Sequence, residues 1–432
     1  MSNTTFTGSE PILFNACVGN NGYVDYFTYA EGYSKAANLI LDQVLDNDGN
    51  DVDSFIYPIC FNMRHSVELR LKGAVEEINK LSVIKKQKIP SFDLAGSHDI
   101  GNIWAFFKKN SEFLDLRFKM INDLMEKTIS DIADVDATGQ TFRYPFDVDN
   151  NKHLTGQKII SCLVLKQKFE KLEGDLNNLK CLCDLLIEEY KLGSFTSKFS
   201  RCQIFNFVIE LPLIDKWKID LNKADLCSRY NLTSNDLTKI LNFVKKNYEI
   251  SAIIGIKQDL LVLKDSQIIE LCKIWAVDFK PDFRELYTRK ADVSSLSSKD
   301  VGRFDEMLLY VKKKSDVYEP LKKILTVDQV ADLWALFYLS RDNFKYSEHY
   351  HFLYESHNKE IQRERNLIDS FDHVFSKSNF LEEIVKSLYF LQQIDLAEKI
   401  VEMHDLEPYF KFIPQARDRS LFNKPEILGY EV

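Results

Sequence analysis

The run Asn62-Met63-Arg64-His65-Ser66-Val67-Glu68-Leu69-Arg70-Leu71-Lys72 carries the strongest chemical signal in this chain. On a helix, Arg64, Glu68 and Lys72 are successive i,i+4 neighbours, and at about 100° per residue they span an arc of roughly 80° with His65 at its edge. The arc adjoins an apolar stripe of Ile56, Cys60, Met63, Val67, Leu71, Ala74 and Ile78, so it is expected to face an interhelical groove instead of bulk water. A self-satisfying ion-pair ladder is the competing reading of the same spacing. A second feature is His98-Asp99 at the start of a helix, where exposed amides and the dipole favour an anion; ordinary first-turn charge and a packed histidine would leave the same trace. The third is Thr141-Phe142-Arg143-Tyr144-Pro145, in which Pro145 biases Tyr144 to an extended conformation and Arg143 sits between aromatics. Such a segment lays Arg143 over a groove, or plugs the bundle with an Arg143–Glu68 pair.

The elements that must position these groups are helices. Apolar residues recur at helical spacing from Tyr23, which predicts a first helix through Val44. The turn at residues 46–53 offers Asp51 or Asp53 as cap for a second helix over 54–81. Ser97 is expected to cap a third through Phe107, with a fourth over 111–132. Gly139 and Pro145 forbid a helix across the insert that follows, and 157–192 resumes as one long amphipathic helix stopped by Gly193. Residues 1–192 therefore read as one helical bundle with an ordered loop across it. Residues 193–290 form a second unit with a helix-turn-helix-like pattern over 224–244, and the runs 250–256 and 260–263 predict a small β-hairpin. Residues 291–432 read as helical again (301–314, 327–339, 349–365, 381–392 and 396–403), with a tail from Glu407 expected to lie as an extended strap. The fold class is mainly α.

The order of an Arg-His-x-x-Glu-x-x-x-Lys helix, a His-Asp-Ile helix start and a Phe-Arg-Tyr-Pro loop resembles the HEPN-like domains of bacterial proteins, many of them in anti-phage or toxin systems. The resemblance covers about the first 190 residues and rests on Arg64, His65, Glu68, Lys72, His98, Asp99, Phe142, Arg143, Tyr144 and Pro145. It implies a helical bundle that acts either as a metal-independent RNase or as a non-catalytic nucleotide- and partner-binding module. Under the second option Arg64, Lys72 and Arg143 contact phosphates, His65, His98 and Tyr144 address a base or sugar, Glu68 orients the basic groups, and a separate effector protein carries the chemistry. The RNase option needs an Arg and a His one and a half to two helical turns apart. Here Arg64 and His65 are adjacent, and Arg341 and His349 are too distant. An irregular acid–base pair of His65 and His98 is what remains of it.

Other classes are narrowed by composition. With 65 acidic and 56 basic side chains the net charge is -9, so any polyanion contact is local. The second helix of the helix-turn-helix-like pattern offers Asn235, Asp236, Lys239 and Asn242, a nearly neutral set that does not favour DNA readout and leaves a winged-helix-like structural role. The eight cysteines form no C-x-x-C pair, and His349, His351 and His357 lack the spacing of a metal site, so no metal is expected. No glycine loop for phosphates and no nucleophile elbow occurs, and no cofactor is expected. No apolar run is long enough for a membrane span, and the start MSNTTFTGSEP has no signal core, which predicts a cytoplasmic protein with reduced thiols and no membrane partner.

Overall fold

The computed structural model describes residues 4–288, 317–318, 321, 325–363 and 366–431. The fold is mainly α: no strand occurs among the described residues, and one isolated bridge joins Phe146 and Lys152. The chain divides into two compact units, Met1–Lys191 and Leu192–Val432.

The first unit consists of α1 (Tyr26–Asp46), α2 (Val52–Lys85), α3 (Ile100–Leu114), α4 (Phe118–Asp136) and α5 (Cys162–Lys191). Asp25 caps α1 by accepting from Thr28 N at 2.6 Å. Asp51 stands at the cap position of α2, but its backbone is left-handed and its side chain makes no capping hydrogen bond to the helix. α2 packs against α1, α3 and α5, so it buries residues around most of its circumference, Arg64, Glu68 and Lys72 among them. Its polar arc is thereby drawn inside. Ser97 does not cap α3: Asp99 does, accepting from Asn102 N at 2.9 Å. The Asp99 carboxylate thus already fills the anion position at that helix start. α5 begins at Cys162, later than the spacing predicts, and stops at Lys191 before the left-handed Gly193.

In the second unit, Ser200 and Gln203 form a capping box for the helix Arg201–Ile209. Helices Lys223–Arg229 and Ser234–Val244 pack as a helix-turn-helix-like pair on a core of Phe199, Ile204, Phe207, Leu226, Leu237 and Ile240. The expected hairpin is absent. Asn247 accepts from Ile250 N at 3.0 Å and caps the helix Tyr248–Ile253, and Ile250 and Ile254 are buried in that core. A larger core runs from Tyr248 to Ala416 and spans both sides of residue 290: Trp275 lies 5.9 Å from Phe380 and Phe279 lies 5.4 Å from Phe375. Its centre is the helix Val327–Arg341, which packs against His349–Ile361, Leu367–Phe375 and Phe380–Phe390. The helix expected over 301–314 lies outside the described residues. The tail is folded, not an extended strap: Ile413–Arg417 is helical, Ile413, Ala416 and Leu428 are buried, and Lys424 Nζ reaches Glu249 Oε1 at 2.6 Å.

Candidate functional site

Glu68 is the hub of the first unit. Its side chain is 3% exposed, and four groups surround its carboxylate. Oε2 receives Arg64 Nη1, with His65 Nδ1 at 3.8 Å; Oε1 meets Lys72 Nζ at 2.9 Å and His98 Nδ1 at 3.0 Å. Four partners match the lone-pair capacity of an ionised carboxylate. Burial opposes its charge, but the close approach of His65, the contacts of Lys72 and His98 and the field of Arg64 outweigh that cost, so the Glu68 carboxyl titrates well below the usual range.

Arg64 is only 2% exposed and is bound on every side of its guanidinium. Besides Glu68 it donates to the carbonyls of Asp136 (3.2 Å), Ala137 (2.6 Å) and His98. Asp136 and Ala137 end α4, so Arg64 satisfies carbonyls that a helix C-terminus leaves open and places a cation at its negative pole. The Ala137 carbonyl also accepts from Ile100 N at 2.9 Å. One arginine therefore ties α2 to the end of α4 and the start of α3. Gly139, at φ +79°, passes so close that a Cβ would stand 3.0 Å from Arg64 Nη1. Lys72 is equally enclosed, at 5% side-chain exposure.

The groups that reach the surface are different ones. His98 is 61% exposed and His65 27%. His65 stacks on Phe61 at 5.7 Å and takes the edge-on contact of Tyr33 at 4.5 Å. Arg143 lies over the same aromatic run, 6.0 Å from the Phe61 ring and 5.3 Å from Tyr144. It makes no ion pair with Glu68 among the described residues, and the Phe-Arg-Tyr-Pro segment is not fully extended. Arg143 N and Tyr144 N both bond to Gln140 O, which closes a turn. Asp136 holds that turn through Thr141 N at 3.0 Å.

The structure thus brings Arg64, His65, Glu68, Lys72 and His98 together, puts Arg143 and Tyr144 at the neighbouring surface, and leaves Asp99 apart as a helix cap. The sequence reading missed Ala137 and Gly139, which act through backbone, Asp136, which acts through both its carbonyl and its carboxylate, and Phe61 and Tyr33, which pass for ordinary core aromatics. Arg64 and Lys72 were expected to contact phosphates; their burial and pairing make them the support of the site instead. No group of three or more His, Cys, Asp or Glu is placed to hold a metal among the described residues. In the second unit His349 stacks on Phe344 at 4.3 Å and His357 packs edge-on to Trp334 at 5.1 Å.

Compared with known proteins, the chain matches no family model, no curated protein and no solved structure. None of its described helices is long and apolar enough to cross a membrane.

Proposed function

We propose that the chain is a non-catalytic sensor or regulatory subunit of a bacterial anti-phage assembly, of the HEPN-like class. In this reading it binds a nucleotide-like anionic ligand beside Glu68 and acts on a separate effector protein. The observation that carries the ligand site is the sharing of Glu68 by His65 and His98. Each ring turns Nδ1 to the carboxylate, so Nε2 is the nitrogen left for a ligand. A protonated ring offers Nε2–H to a phosphate oxygen, and Arg143 supplies a fixed cation beside a stack of aromatic faces suited to a base. The defence context and the effector rest on the sequence resemblance alone.

The same pair of histidines favours a second reading, an HEPN-type RNase with an irregular site. A carboxylate that orients two imidazoles is the arrangement an acid–base pair requires. Against it stands Arg64, whose guanidinium is committed to the end of α4. Readout of DNA by the helix Ser234–Val244 is the least supported. Titration of the purified full chain with mono-, di- and cyclic nucleotides, beside incubation with single-stranded RNA, separates these readings. Saturable nucleotide binding without new RNA ends supports the sensor. Cleavage lost in His98→Ala supports the RNase.

A further inference from the structure

An apolar cavity of about 400 Å³ opens between α2, α4 and α5. Its floor is Met63, Phe169 and Leu172, all buried, and its lips carry Val135, Ile159 and Val164, which are 38%, 82% and 55% exposed. Close-packed interiors leave few voids larger than a water molecule, and an apolar cavity of about 150 Å³ already stays dry and takes up a benzene. A space of this size and lining has the character of a small-molecule pocket.

Its charge is one-sided. Arg64 touches the cavity but is committed to Glu68, and Asp131, the one acid in the lining, pairs with Lys127 at 2.5 Å. Lys168 lines the same cavity, is exposed, and makes no ion pair among the described residues. Across a wall shared through Phe142, Gln157, Ile159 and Ile160 lies a groove of about 720 Å³ that carries Arg143, Lys152 and Lys158 against Asp53. In a chain of net charge -9, Lys168 is thus a cation at the cavity with no ion pair among the described residues, and the adjoining groove carries three more against one acid.

We propose that the cavity between α2, α4 and α5 takes the aliphatic chain of a monomeric anionic amphiphile of the fatty-acid class, with the anionic head at Lys168. Branched aliphatic walls and Met63 suit a flexible chain. The inference goes beyond the nucleotide-like ligand proposed beside Glu68, and the variants that test it alter no residue of that cluster.

The test is displacement of a fluorescent fatty acid from the full-length chain by dodecanoate and by the neutral dodecanol. Saturable one-to-one binding is expected, at least tenfold weaker in Val164→Trp, which fills the mouth from an exposed position. Ile159→Trp, at the other lip, repeats the test should that variant misfold. Lys168→Glu is expected to weaken dodecanoate several-fold and leave dodecanol unchanged. Three results overturn the proposal: no saturable binding, unchanged affinity in both tryptophan variants at unchanged melting temperature, or association with anionic lipid vesicles but not with dodecanoate.

Discussion

Glu68 and His98 are 30 residues apart in sequence, yet Glu68 Oε1 and His98 Nδ1 stand 3.0 Å apart, while Arg64 donates to the His98 backbone carbonyl. α2 therefore grips the segment before α3 twice, once through a side chain and once through the backbone. The second grip holds the loop whatever the imidazole does. The imidazole is free to answer to a ligand.

Glu68→Gln removes the carboxylate between two buried cations. Stranding Arg64 and Lys72 should cost the first unit about 3–5 kcal/mol. Urea denaturation followed by a probe in the first unit checks this, with His98→Ala, at a largely exposed side chain, expected within about 1 kcal/mol of wild type.

The depressed titration of Glu68 has a definite sign in pH. Its folded-state value lies below the ordinary 4.5, so its contribution is complete above that value and is lost as pH falls further, toward the folded-state value. Unfolding midpoints measured from pH 6 down to pH 3 should fall for the wild type, and less steeply for Glu68→Gln.

The two site arginines should behave oppositely. Arg64→Lys keeps the charge but loses the planar fork that reaches Glu68 and three carbonyls, and is expected to destabilise by about 2–4 kcal/mol. Arg143→Ala removes an exposed side chain packed on two rings and should leave the melting temperature within a few degrees while weakening nucleotide binding at least tenfold. Thermal melts and titrations of both variants test the contrast.

In the second unit, Arg201, Glu249, Glu348 and Lys424 form a buried and balanced set that joins the tail to the helix Arg201–Ile209. Lys424→Met leaves Glu249 with Arg201 at 2.7 Å but one partner fewer. A loss of about 1.5–3 kcal/mol is expected for that unit, together with earlier proteolysis of the tail.

Much of this was legible in the sequence. The apolar stripe of α2 and the polar arc beside it gave both the helix and the neighbourhood of Arg64, Glu68 and Lys72, because a period of 3.6 fixes which residues share a face. What the arc faces was not legible, since the carbonyls of Asp136 and Ala137 have no signature in side-chain type. The spacing leaves Arg143 either over a groove or paired with Glu68; it lies over Phe61, a residue indistinguishable from core by type. The hairpin failed for another reason. Residues 250–256 are rich in isoleucine, but Asn247 caps a helix there and burial on the neighbouring core overrides a β preference. Ser97 and Asp99 are both good caps, and the bond from Ile100 N to Ala137 O, a tertiary contact, decides between them.

The central claim is that His98 and Arg143 present a ligand site on a framework held by Arg64, Glu68 and Lys72. Its most direct test is mass spectrometry of small molecules released from wild type and from His98→Ala/Arg143→Ala, purified side by side without added ligand. The account predicts a phosphate-bearing compound stoichiometric with the wild type and lost from the double variant at an unchanged melting temperature. Recovery of the same compound in equal amount from both proteins, or of none from the wild type, would contradict it.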